Sequence, residues 1–295
     1  VSHWLADPPI QSIVIPLSIA GVLSGMLGFG FRKYYGPELA SAAIPAGFLA
    51  SCWATVGWPA FPPVSSNQKI VYVALFGTLI GIMIGALRFD RRLRWFGVAI
   101  WPAVIAGWLG LRGLSPETSG GFGWTIFSPA PTDIITLAVL WFAGVAVLAG
   151  LRHMQEGSSA PCIALLIAAV GTSMIALLGS SASLAQLSGG LAAATGGFLL
   201  WNWPKNRFQF GWAGLFGGAG ALFALISAMV LFTNASKLAL ILISPVFFAD
   251  RLAVRLPFAS RPALAPFVQA AVCLVPVAIA VLVAYFSSGG GSAYG

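Results

Sequence analysis

Asp250 is the carboxylate that most invites a chemical reading. It closes the stretch ISPVFFAD, residues 243–250, and stands beside Arg251 in a run that is otherwise apolar. Proline inside a helix removes a backbone donor and frees a carbonyl. The Ser244-Pro245 step is therefore expected to kink this run and turn polar groups toward a cavity. Gln186, Asn202 and Gln269 put amide side chains, and Trp53 an indole, in or beside helices that are otherwise able to be apolar. With Ser244 and Asp250 they make six residues nominated to line a solute path, with Pro245 as the bend. Each also has a plainer reading. Asp250-Arg251 suits a terminal ion pair at headgroup level, and amides in membrane helices commonly bond one helix to the next.

Catalytic constellations are missing from the sequence. The two histidines, His3 and His153, stand in the N-terminal segment and in a connection between runs, so two spans cannot share a bis-histidine ligation. HExxH, GxSxG, a glycine-rich phosphate loop and an aspartate-rich cluster do not occur. Ser180 and Ser181 have no neighbouring base in the sequence to activate a hydroxyl. Cys52, Cys162 and Cys273 form no CxxC and read as small buried apolar groups. Neither a metal nor an organic cofactor is expected, and the chain does not read as an enzyme. Of the seven acidic residues, Glu38, Asp90 and Asp133 fall at the starts or ends of apolar runs and Glu117 and Glu156 in connections. A proton or sodium pump would keep carboxylates deep in its helices.

The elements that must position these residues are set by composition. Of 295 residues, 59% are hydrophobic and only 7% charged, and the mean hydropathy is +0.93. Soluble domains are about one quarter charged. The chain is thus read as an all-α, polytopic transmembrane helix bundle forming one integral membrane domain, 1–295. Its basic residues are scattered in short clusters without a basic tail, which argues against nucleic acid as a partner. Ten runs of spanning length stand out: 11–31, 39–58, 70–87, 95–111, 133–151, 161–179, 182–201, 210–232, 235–252 and 263–286. A tight turn at GSSAS, residues 179–183, is expected to separate the sixth and seventh. The opening VSHWLADPP carries no Lys or Arg, so the first run is expected to stay as a span rather than act as a cleaved signal.

Arg32, Lys33, Arg88, Arg91, Arg92, Arg94, Arg152, Lys205, Arg207, Arg251, Arg255 and Arg261 follow odd-numbered runs, which leaves only Lys69, Arg112 and Lys237 after even ones. Short basic loops stay in the cytoplasm. The expectation is a bacterial inner-membrane protein with both termini outside.

The helix ending WATVGWP, residues 53–59, is echoed by the helix ending LLWNWP, residues 199–204, with Trp58 and Trp203 set 145 positions apart. Five runs per half would place these Trp-Pro steps on opposite faces and relate 11–151 to 161–286 as a five-plus-five inverted repeat. The indoles then serve as interface anchors, and proline ends each helix. Gly77, Gly81 and Gly85 share one helix face, Gly189, Gly190, Gly196 and Gly197 thin the seventh run, and Gly214, Gly217 and Gly218 the eighth. Such spacing lets helix backbones approach. The connection 112–133, rich in Gly and Pro, is read as a lid or partner surface.

Length, run count and five-plus-five inversion resemble the drug/metabolite transporter superfamily in architecture. The resemblance spans the whole chain, rests on no motif, and carries no residue roles over; that family's cytoplasmic termini differ from those expected here. The functional expectation is a transporter-like protein for a small neutral or amphipathic solute. Its alternative is a noncatalytic accessory subunit of a larger membrane complex, binding partner helices and lipid or pigment. Membrane lipids are expected partners in either case.

Overall fold

A computed structural model of the chain describes residues 7–31, 39–63, 65–87, 89–110, 131–154, 158–256 and 264–289. Ten helical segments fall on the ten apolar runs. They are α1 (Ile10–Gly30), α2 (Ala40–Val56), α3 (Ser66–Leu87), α4 (Arg91–Gly110), α5 (Pro131–His153), α6 (Ala160–Leu178), α7 (Ala182–Asn202), α8 (Gly214–Phe232), α9 (Lys237–Phe248) and α10 (Ala265–Gly289). Eight are long and apolar enough to cross a membrane, so the chain is a polytopic helical membrane protein.

The other two are α2 and α9. At 1.5 Å per residue α2 reaches about 25 Å, against roughly 30 Å of hydrocarbon. Its stop is Gly57, at φ 81°. In α9 the α-helical part ends at Leu242, and Ser244–Phe248 continues as a 3₁₀ turn with Pro245 in its first positions. The missing N–H of proline is harmless in a first turn.

Successive segments run in opposite directions. Ser41, opening α2, accepts the Gly214 N–H at the start of α8 at 3.2 Å. Ser51, near the end of α2, donates to the Gln11 carbonyl at the start of α1 at 3.1 Å. At that same end Lys69 Nζ of α3 donates to the Trp108 carbonyl of α4 at 2.8 Å. The α6–α7 turn meets the α8–α9 connection there too, through Gly179 and Ala235. At the opposite end, the Trp201 indole of α7 donates to the Gly21 carbonyl of α1 at 2.7 Å.

Helices α6, α7 and α8 are the most buried, and α1 and α10 the least. Leu274, Val275, Ile279, Leu282 and Phe286 of α10 are exposed, a face suited to lipid. The centre closes through glycine. A Cβ on Gly81 of α3 would stand 2.6 Å from Cα and 2.7 Å from N of Ala213, and one on Gly77 would overlap the Phe216 carbonyl. From the α8 side, a Cβ on Gly217 would come 2.9 Å from Pro45 of α2. On α7, Gly197 abuts the Leu17 carbonyl of α1. Lipid gives helices no hydrophobic reason to associate, so such backbone contact supplies the packing energy instead. Gly214–Ala219 is wound as a π-helix, and within it the Phe216 carbonyl accepts the Trp101 indole N–H at 3.1 Å.

The α6–α7 turn lies where GSSAS places it. Ser181 N–H bonds the Ala176 carbonyl at 2.9 Å and Ser180 N–H the Leu177 carbonyl at 3.1 Å. This paired pattern closes a helix around a left-handed residue. Here that residue is Ser180, at φ 60°. Gly179 precedes it because a Cβ there would meet Ala235 Cβ at 2.9 Å.

Candidate functional site

Two cavities open at one end of the bundle, the end that gathers the connections following α3, α5, α7 and α9. The larger, about 460 Å³, is bounded by the first turn of α4, the end of α5, the start of α6 and the approach to α8. Arg91, Arg94 and Trp95 line it together because positions i, i+3 and i+4 share one helix face. Arg152 enters from the last turn of α5, where a cation suits the helix dipole.

Both guanidiniums converge on Trp212. The Arg152 guanidinium carbon lies 4.6 Å from that ring's centre and the Arg94 one 5.6 Å. On another wall Trp95 packs against His153, with ring centres 5.0 Å apart. Arg94 Nε is buried without a hydrogen-bond acceptor among the described residues. No acidic side chain is among the described lining residues.

The second cavity, about 360 Å³, shares Ser158 with the first. Asp250, Gln269, Lys205 and Asn206 line it. Gln269 is almost wholly buried, and its amide points Nε2 toward Cys273 Sγ at 3.5 Å. Asp250 is half-buried in the short turn Asp250–Ala253 that links the end of α9 to this cavity.

Of the six nominated path residues, Asp250 and Gln269 are therefore brought together, and the other four stand elsewhere. Trp53 is exposed near the end of α2, edge-on to Trp58 at 6.2 Å. Ser244 and Pro245 are exposed on α9, and Gln186 is half-buried on α7. Asn202 is buried, its Oδ1 accepting the Arg207 and Phe208 N–H groups at 2.9 and 2.8 Å, so it brackets the turn after α7. Trp58 and Trp203 are both exposed, at opposite ends of the bundle.

No protein-family model matches this sequence, and no curated protein matches it. Cys52, Cys162 and Cys273 are all buried and free. Among the described residues, no three of His, Cys, Asp and Glu gather into a metal-binding group. The acidic positions Glu38, Glu117 and Glu156 lie outside the described residues, as does the connection 112–130.

Sequence reading passed over Trp212 and two serines. Ser188 of α7 and Ser227 of α8 are fully buried, and neither hydroxyl has a hydrogen-bond partner among the described residues. Serine in a helix ordinarily bonds back to the carbonyl four residues earlier, as Ser24 does to Ala20 at 2.6 Å. Periodicity marks both serines as buried but cannot reveal that the usual bond is unmade.

Proposed function

We propose that the protein is a transporter-like carrier for a small neutral or amphipathic solute, which it admits from the basic end of the bundle. One observation carries this reading: the cavities lined by Asp250, Gln269 and the arginines adjoin through Ser158 and open at the same end, while the helix centres beyond them are packed shut. A bundle open on one side and closed on the other suits one half of an alternating-access cycle. The basic end faces the cytoplasm, since short arginine-rich connections are retained there. The unpartnered hydroxyls of Ser188 and Ser227 fit a path that forms in the other half of the cycle, because a buried polar group without a partner is costly unless another state supplies one.

A five-plus-five inverted arrangement agrees with some helix pairs. The α1–α2 packing has its counterpart in α6–α7, and α4–α5 in α9–α10. The extensive α1–α7 contact has no equally extensive α6–α2 partner, so any symmetry in this state is partial.

The second reading, an accessory subunit of a membrane complex, draws on the tightness of that same centre. Backbone contacts such as Gly77–Phe216 and Gly197–Leu17 suit a static scaffold. Labelling separates the two. Ser188→Cys is nearly isosteric and loses no hydrogen bond seen here. In a carrier it should react with a small water-soluble thiol reagent added from the non-cytoplasmic side, faster than the native cysteines do. Protection equal to that of Cys52, together with gentle purification as a stoichiometric complex, would replace the carrier by the scaffold.

A further inference from the structure

We propose that the larger cavity is a binding site for a phosphate-bearing anion, either an acidic phospholipid headgroup or a water-soluble phosphate ester. The proposal stands apart from the carrier reading, since a scaffold needs bound lipid as much as a transporter does.

Four observations converge. Arg91, Arg92 and Arg94 crowd the first turn of α4, where the helix dipole is already positive and disfavours cations. Nothing in the helix itself rewards that placement, and an anion in front of it does. Next, Arg94 and Arg152 are held over the same indole. Cation–π attraction to Trp212 holds both guanidiniums at the cavity wall, and a guanidinium fork suits phosphate. Third, Arg94 Nε is buried with no acceptor among the described residues, and a guanidinium nitrogen can only donate. Finally, the described lining residues carry more positive than negative formal charge. Asp90 is exposed and is not among the lining residues, and Glu156 lies outside the described residues. Counting both carboxylates against Arg91, Arg94 and Arg152 still leaves the cavity positive.

Shape narrows the ligand. At about 460 Å³ the cavity exceeds what a bare ion fills, and Pro161, Phe210 and Leu215 give it an apolar wall beside the arginines. A head carrying phosphate with a less polar remainder matches both surfaces. Basic pockets between helices near the cytoplasmic surface are where acidic lipid headgroups bind. Carboxylates fit less well, because two guanidinium forks offer more donors than one carboxylate can accept.

Intact protein in mixed micelles supplies the test, with bound lipid read by native mass spectrometry. Phosphatidylglycerol is the acidic probe, phosphatidylcholine the neutral one and glycerol 3-phosphate the soluble one. Wild type should prefer phosphatidylglycerol over phosphatidylcholine by roughly tenfold or more, and raising ionic strength should weaken the preference. Arg94→Gln and Arg152→Gln should each lower that affinity roughly tenfold or more, as loss of a charge-assisted hydrogen bond does. Arg255→Gln removes an exposed charge outside both cavities and should change it by less than about twofold. Displacement of phosphatidylglycerol by glycerol 3-phosphate well below its own micellar level would assign the site to a soluble ester; no displacement would assign it to lipid. Equal binding of the acidic and neutral lipids by wild type, with no effect of glycerol 3-phosphate, would overturn the proposal, and this outcome needs no variant to fold. So would cavity variants indistinguishable from Arg255→Gln.

Discussion

Replacing Gly81 by alanine tests the α3–α8 contact on which the packed centre depends. The added Cβ would stand 2.6 Å from Ala213 Cα and 2.7 Å from Ala213 N. Carbon atoms rest at about 3.5–4.0 Å, so the two helices must part by roughly 1 Å or α8 must bend. Overpacking of this kind costs about 1–3 kcal/mol. Alanine also regains up to about 1 kcal/mol of helix propensity, leaving a net loss of up to about 2 kcal/mol. Gly107 on α4 is the matched control, since a Cβ there meets no atom of the described residues within 4 Å. Gly107→Ala should keep only the propensity gain. Reversible unfolding in mixed micelles should therefore separate the two variants by about 1–3 kcal/mol, in opposite directions from wild type. The obstruction at Gly81 is backbone, so trimming Ala213 to glycine should not rescue it. At Gly110 the nearest atom is a Leu137 methyl at 2.7 Å, which can swing aside, and Gly110→Ala should cost less. Equal stability for Gly81→Ala and Gly107→Ala would mean that α3 and α8 do not touch through their backbones.

Three further outcomes follow from local geometry. Ser180→Gly should stabilise by up to about 1 kcal/mol, because it removes a side chain from a left-handed position, whereas Gly179→Ala should destabilise by pressing on Ala235; an equal response at both positions would contradict the turn. Asn202→Ala strips the acceptor from two backbone N–H groups and should cost about 1–3 kcal/mol, with faster hydrogen exchange at the Phe208 amide. An unchanged exchange rate would leave Asn202 free for a solute role. Single cysteines at Ser65 and Asn206, both exposed and at opposite ends, should label from opposite sides of the membrane, with Asn206→Cys reacting only from the cytoplasm.

How far the fold was legible depended on what each feature needed from elsewhere. Run length found all ten helical segments to within a few residues, because lipid demands satisfied backbones over a set length. It counted α2 and α9 as full spans, whereas α2 stops at Gly57 and the α-helical part of α9 at Leu242 before hydropathy falls. The glycine faces were equally readable: Gly77 and Gly81 have no purpose on a lipid surface, and both lie against α8. Residue roles were less so. Asn202 and Gln269 look alike in sequence as amides near helix ends. One closes a turn through its own Oδ1, and the other lines a cavity with Asp250 because α9 ends against the start of α10, a fact of packing that no local pattern carries.

The arginines of α4 show why topology and chemistry were hard to separate. As charges at a span end they satisfy the cytoplasmic bias completely, and a sequence reading has no reason to ask more of them. What changes their meaning is Trp212, far along the chain, which meets Arg94 where α8 packs against both α3 and α4. The atoms that a side chain on Gly81 would strike belong to Trp212 and Ala213. The glycine face therefore does more than close the bundle: it lets α3 lie against the backbone that carries the indole over which both guanidiniums lie. It follows that Gly81→Ala, though it touches no cavity residue's side chain, should weaken the phosphatidylglycerol preference along with stability. Gly107→Ala should leave that preference intact. A Gly81→Ala protein that is destabilised yet keeps full preference would show that the arginines find their geometry without help from the helix packing.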